Sequence, residues 1–431
     1  MRAVPDRSTA GIVAARTSGR LDLGASAHVT IMAEPPPTPW LPTLTAILVV
    51  QTTVAYLSRI VPTLAPLVMA GLGLSGETVG YLAGIGVVGS IVFLVAGTPF
   101  IRRFGPLRTL QAGLALGLVG LAVMAVPHPV ALAVGSFLVG VGYAPSAPAG
   151  NEVLHRFAPP AHRGLIFSIK QAGVPVGGVL AGLVLPALAG LWGWTGALAG
   201  SAFLVAVAIA LVQPMRAATD VLRDPGVRVT PAYLLHLDNL TRPLAALTAN
   251  PPLARVALCG LCLSVGQGVW LTFLVTQGVA RLGLDLASAG LLFAIMQATG
   301  IVGRILLGWI ADRLGSGRRT LRATVIASAL TSLVLALASP AWPFPALCAL
   351  VAVGGITVSS WNGVQLAEIA ALSPPDRIAE ASAGATIVVF VGYTLAPALF
   401  AALLAAGGRW DLGYALVAAI TAAGLLGLRR S

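Results

Sequence analysis

Charge is what this sequence has least of. Of 431 residues only 9% are charged and 57% are apolar, with a mean hydropathy of +0.92. A soluble chain of this length would form about three domains and carry roughly a quarter of its residues as Asp, Glu, Lys or Arg. Nine per cent cannot cover that much water-facing surface. Cysteine is scarce as well. Cys259, Cys262 and Cys348 cannot build a disulfide framework, and all lie in apolar runs, so Cys259-x-x-Cys262 reads as packing and not as a metal or redox pair. Lysine is almost missing: of 26 basic residues only Lys170 is not Arg, a bias that points to a GC-rich bacterial genome. The formal charge of +12 is scattered in short blocks between apolar segments, with no basic soluble module, which excludes nucleic acid as a partner.

What is present is a series of twelve apolar runs, each long enough to cross about 30 Å of hydrocarbon. They fall near 43–70, 77–101, 108–126, 129–151, 164–190, 194–213, 253–279, 286–311, 320–339, 344–371, 380–406 and 411–428. Gly and Pro sit inside these runs, where membrane helices tolerate them. The fold class expected is an all-α membrane protein, two pseudo-symmetric six-helix bundles around a central cavity. Residues 1–40 read as a disordered cytoplasmic tail, with Met32 as a second candidate start. Residues 41–213 form the first bundle, 214–252 a cytoplasmic linker, and 253–431 the second bundle.

Basic residues set the orientation. With the N-terminus inside, 21 fall on the cytoplasmic side and two, Arg281 and Arg409, on the outer side. Both termini are therefore expected in the cytoplasm, and the chain in a bacterial inner membrane. The halves also repeat: residues 76–105 align without a gap on 286–315, matching Gly80 to Gly290 and Arg103-Phe-Gly105 to Arg313-Leu-Gly315. Repeated halves place a binding site at the midplane between them, with alternating access by rocking.

Gly308-Trp-Ile-Ala-Asp312-Arg313-Leu-Gly315-Ser-Gly-Arg318-Arg319 is similar to the G-x-x-x-D-R-x-G-(x)-R-R signature of the major facilitator superfamily. The chain resembles that superfamily from about residue 40 to the end. The first-half copy is degraded, with Arg102 at the Asp position. Gly173-Val-Pro175-Val-Gly177-Gly178 resembles its Gly-Pro-rich motif, shifted by one residue. The resemblance implies a gradient-driven transporter and no enzyme. An Arg eight residues before the motif Asp, here Arg304, resembles the anion-binding Arg of nitrate, monocarboxylate and oxalate transporters. Leu94 stands where nitrate porters carry their second Arg, which argues against nitrate.

Three cations lie inside spans: Arg59, Lys170 and Arg304. Each costs about 2.5–3.5 kcal/mol at the middle of a spanning helix unless it meets water, a partner or a substrate. None of the 14 acids lies in the middle third of a span. A positive cavity without buried carboxylates favours an anion, and a planar carboxylate suits Arg best. Gln51, Tyr56, Gln171, Gln267, Trp270, Gln297, Trp361, Asn362 and Tyr393 are the neutral candidates to complete the pocket. Near the inner face, Glu152 and Glu368 are expected to pair with Arg103 and Arg313, beside the motif residue Asp312, as a gate that breaks when the halves rock; the alternative is a local pair of Glu152 with Arg156. His155 and His162 are expected to face solvent. No G-x-x-x-x-G-K and no cluster of metal ligands is present, so no cofactor or metal is expected. The expected partners are the bilayer and a small anionic molecule, with protons as a candidate coupling ion. An exporter of neutral or lipophilic compounds is the alternative, and a membrane-embedded sensor or enzyme a remote one.

Overall fold

The computed structural model describes residues 40–159, 162–221, 223–230, 238–374 and 377–428; the N-terminal tail lies outside the described residues. Among the described residues there is helix and no strand. Eleven helices are long and apolar enough to cross a membrane. The longest, Leu165–Thr219, has 55 residues, about 80 Å at 1.5 Å per residue and more than twice a hydrocarbon core. It is broken at Gly193, whose φ of 68° and ψ of 179° only glycine adopts cheaply. That run divides into spans 5 and 6, which gives twelve crossings among the described residues. Large apolar side chains such as Leu191, Phe203, Ile305 and Leu399 point outward, as a lipid-facing surface requires.

Four spans are interrupted, where the sequence reads as continuous. Span 1 divides at Arg59 into Trp40–Ser58 and Ile60–Gly71. Span 2 divides at Gly97 into Thr78–Ala96 and Thr98–Phe104. Span 4 runs Pro129–Tyr143, tightens through Ala144–Ser146, and resumes as Pro148–Phe157. Span 10 runs Phe344–Val358 and resumes as Asn362–Leu372. The causes are local. Pro99, Pro145 and Pro148 remove backbone donors and crowd the preceding turn. In span 10 the Ser360 hydroxyl donates to the carbonyls of Gly355 (2.8 Å) and Gly300 (3.0 Å), competing with the helix ladder.

Each half has its own core, around Leu64, Leu107 and Leu110 in the first and around Trp270, Phe273 and Tyr414 in the second. Cys259 and Cys262 are buried and free, as their setting in an apolar run implies. The halves meet through the repeated glycines. A Cβ on Gly80 of span 2 would strike Pro397 O of span 11, and one on Gly290 of span 8 would strike Gly182 O of span 5. Gly80 and Gly290 are the positions that the internal alignment matches, so one small-residue device is used twice. Both contacts lie away from the 214–252 connection, as does the approach of Gly76 to Thr276 of span 7. The halves are thus closed against one another at the face opposite that connection.

Candidate functional site

The interruptions in spans 1 and 10 meet at the middle of the molecule. There Arg59, Val174 and Pro175 of the first half face Gln267, Leu271, Gln297, Gly300, Arg304 and Ser359 of the second, around a cavity with ≈ 240 Å³ of empty space. Arg59 sits at the junction of the two helices of span 1. Arg304 crosses from span 8 toward span 5, where its Nη1 donates to the Gln171 carbonyl at 3.3 Å. The two arginines are close enough to repel each other, and both lie within electrostatic reach of Tyr143 and Tyr393.

A polar chain forms the wall beside them. Asn362 Nδ2 donates to the Tyr393 hydroxyl at 3.4 Å, and that hydroxyl donates to Gln267 Oε1 at 2.7 Å. Gln267 Nε2 in turn donates to the Ser359 carbonyl at 3.4 Å. Gln297 reaches the cavity because Gly178 has no side chain: a Cβ there would fall on its amide. Gly177, next to it, lets the backbone of span 1 approach at Thr52 and Tyr56. The Gly-Pro-rich stretch therefore admits two different helices through adjacent glycines.

Arg59 Nε and Arg304 Nε are buried and find no acceptor among the described residues. A guanidinium only donates, so what these positions lack is an acceptor. None of Arg59, Lys170 and Arg304 forms an ion pair with a described carboxylate; the ion pairs among the described residues include Arg216–Asp220, Arg242–Asp238, Arg318–Glu368 and Arg409–Asp411.

Several expected pocket residues go elsewhere. Lys170 is completely buried outside the cavity, its Nζ donating to Asn151 Oδ1 at 2.8 Å. Tyr56 bonds Ser201 Oγ at 2.7 Å and ties span 1 to span 6. Trp270 donates to Ser332 Oγ at 3.0 Å within the second half, and Trp361 is enclosed in a separate apolar cluster. Gln51 packs against Gly173. Gln171 contributes its carbonyl, while its side chain is exposed. Tyr143 and Ser359 were not anticipated; the two helix interruptions that place them were the missing signal.

The expected gate is not formed. Glu368 pairs with Arg318, not Arg313, at 3.0 Å, because the start of the span 9 helix comes close to it at Gly317. The Arg313 guanidinium lies over Trp309, 4.9 Å from the ring centroid. Arg103 donates to the Val227 carbonyl at 3.2 Å, and Glu152 has no ion pair among the described residues, with Arg156 acting on it only through space. His155 and His162 are exposed, as expected.

Where Arg102 replaces the motif Asp, a carboxylate arrives from further along the chain. Asp220 accepts from the backbone N–H of Leu107 at 2.8 Å and of Arg108 at 3.1 Å, at the start of span 3. Gly105, at φ 93°, leaves the room it occupies. Burial pushes the Asp220 carboxyl up from its ordinary range, and the two N–H bonds with Arg216 and Arg223 pull it part of the way back.

The sequence profile of the Major Facilitator Superfamily matches residues 47–362. The chain belongs to this superfamily. It is 26% identical over 298 residues to an uncharacterised MFS-type transporter of Mycobacterium tuberculosis, covering 69% of this chain and 64% of that protein. It is 25% identical over 281 residues to the gallate transporter of Pseudomonas putida (59% and 62% covered). It is 26% identical over 255 residues to the probable anion transporter 4, chloroplastic, of Oryza sativa (56% and 42% covered). The matched region thus spans less than two thirds of each relative. Among solved structures, a bacterial homologue of the human lysosomal transporter Spinster, inward-facing and occupied, superposes with a TM-score of 0.68 at 16% identity, over 92% of this chain and 95% of that one; this likeness is one of fold. The chain is thus a multi-pass membrane protein of this superfamily, and the relatives it resembles are transporters.

Proposed function

We propose that this MFS protein moves a small organic anion, a carboxylate, across a bacterial inner membrane by alternating access. One observation carries the reading: Arg59 and Arg304, on opposite halves, face one cavity with buried donors and no described carboxylate to neutralise them. A carboxylate supplies the acceptors and the charge at once, and its two oxygens match the guanidinium fork. Gln267, Gln297 and the Tyr393 hydroxyl add neutral contacts at the wall. Two relatives, a gallate transporter and a probable anion transporter, agree in charge class.

The cycle follows from the placement of the charges. With the 214–252 connection in the cytoplasm, as the excess of basic residues on that side requires, the closed face is the outer one. The gate residues Asp312, Arg313, Arg103, Glu152 and Glu368 then lie on the cytoplasmic side. Among the described residues no hydrogen bond or ion pair recorded for them joins the two halves, which fits a conformation in which that side is not locked. A thermal-shift screen of the purified protein against gallate and other aromatic and aliphatic carboxylates, at two pH values, tests the reading. Stabilisation by at least one carboxylate that is lost in Arg304→Gln is expected. Stabilisation by neutral lipophilic compounds alone would refute it.

A further inference from the structure

We propose that Lys170 is the group that carries a coupling proton through the transport cycle. It is the only lysine in the chain, on span 5, and its side chain is fully buried. Its single acceptor is the neutral Asn151 Oδ1 at 2.8 Å, and no described carboxylate lies within ion-pair distance. Space for the side chain comes from Gly150, where a Cβ would sit 3.2 Å from Lys170 Cε and 3.3 Å from Ile47 of span 1.

The charged and titratable groups on the elements around it are few. Span 1 carries Tyr56 and Arg59, the second helix of span 4 carries Glu152, His155 and Arg156, span 3 carries Arg108, and span 8 carries Arg304, Asp312 and Arg313. None of them is recorded in a hydrogen bond or ion pair with the amine, so they can act on it only through space. An ammonium with one neutral acceptor in such a place is disfavoured, because nothing beside it replaces the hydration it has lost. An amine is not, since Asn151 can turn its NH₂ toward the lone pair. Asn151 is itself exposed, so one side chain separates Nζ from the accessible surface. The step is a simple proton transfer: the Nζ lone pair takes H⁺ from hydronium, leaving water, and returns it on the other side of the cycle.

The next residue links this group to the anion cavity. The Gln171 carbonyl is the one that holds Arg304 Nη1. A proton on Lys170 and the arginine charges oppose one another, whereas an anion on the arginines relieves that opposition. Proton and anion therefore raise each other's affinity, as reciprocal linkage requires, and this is the arrangement of a symporter. The symport part rests on the anion reading; the protonation part does not.

The test uses the single lysine. Full-length protein labelled with ¹³Cε-lysine in detergent or nanodiscs gives one lysine resonance, whose shift distinguishes ammonium from amine. The resonance is expected to pass from the ammonium to the amine form as pH is raised across the range in which the protein stays folded. Arg304→Gln, which removes a neighbouring positive charge as a bound anion would offset it, is expected to strengthen proton binding at least about threefold; Arg59→Gln gives the same direction if the first variant is poorly folded. A resonance fixed in one form across this range, or a transition that neither variant moves, overturns the proposal. In proteoliposomes, gallate uptake driven by a pH gradient is expected to be lost in Lys170→Gln, with gallate–gallate exchange reduced less. If gallate and the other carboxylates are neither bound nor carried, the anion reading fails, while the titration still decides the role of Lys170.

Discussion

Replacing Arg304 by Gln separates a substrate-binding arginine from a structural one, because the two roles predict opposite signs for stability. The side chain makes one long bond, 3.3 Å to the Gln171 carbonyl, and no ion pair with a described residue. That carbonyl belongs to a helix and loses little when the arginine leaves. Removing the charge relieves an intramembrane cation that costs up to about 2.5–3.5 kcal/mol, less whatever the cavity returns in hydration. The ligand-free variant should therefore be more stable, with Tm up by about 2–5 °C. Binding should move the other way. Two charge-assisted hydrogen bonds to a carboxylate, partly replaced by the Gln amide, are worth about 2–4 kcal/mol, or a rise in Kd of about 30- to 900-fold. Thermal unfolding of the purified protein with and without a stabilising carboxylate reads both quantities in one experiment. A lower Tm together with an unchanged ligand shift would refute the reasoning, because it would mean that Arg304 is bonded within the protein and not available to a substrate.

Other changes have equally definite outcomes. Gly80→Val puts a side chain where Pro397 O now lies, so the outer face cannot close. The protein should insert normally, transport should fall at least about tenfold, and a cysteine introduced at residue 276 should become more reactive to a membrane-impermeant thiol reagent. Asp220→Ala removes the acceptor of two backbone N–H groups at the start of span 3 and should cost about 1–2 kcal/mol, measured as a lower Tm. Mild acid should not imitate that loss. With its carboxyl raised in the folded protein, Asp220 binds its proton more readily folded than unfolded, so its contribution to stability increases as pH falls through that raised value. Arg318→Ala breaks a partly exposed pair with Glu368 and should change stability by no more than about 1 kcal/mol.

The crossings were legible because hydrocarbon imposes a length and penalises charge, and both constraints act on sequence alone. The same penalty exposed Arg59 and Arg304, which the structure brings to one cavity. It also exposed Lys170, but burial says nothing about direction, and this side chain turns into its own half toward Asn151. Polar and aromatic residues at depth were read too generously. Tyr56 and Trp270 satisfy their groups on Ser201 and Ser332 of neighbouring helices, partners that no spacing within one helix reveals. The interruptions at Arg59 and Ser359 were not legible, since they depend on how a few hydroxyls and carbonyls compete in three dimensions. The gate pairs missed for a related reason. Their geometry is set by loops such as Ser316-Gly317, which bring Arg318 to Glu368 ahead of Arg313.

The position of the two arginines on opposite halves has a mechanical consequence for the proposed cycle. Arg59 belongs to the first half and Arg304 to the second, and both line one cavity. Without a ligand, any motion that brings them together works against like-charge repulsion in a medium that screens poorly. An anion between them reverses the sign of that work, so the halves approach readily when loaded and reluctantly when empty. A carrier built this way needs no carboxylate latch at the cavity to keep its empty form from closing. The scarcity of acids along the spans then follows from the mechanism: a fixed carboxylate beside Arg59 or Arg304 would neutralise the repulsion permanently and remove the distinction between loaded and empty. Placing Glu at Gln297, which lines the cavity together with both arginines, should accordingly weaken carboxylate binding at neutral pH and restore part of it at low pH, where the new carboxyl is protonated. Binding that is stronger at neutral pH in Gln297→Glu would contradict this account of the cavity.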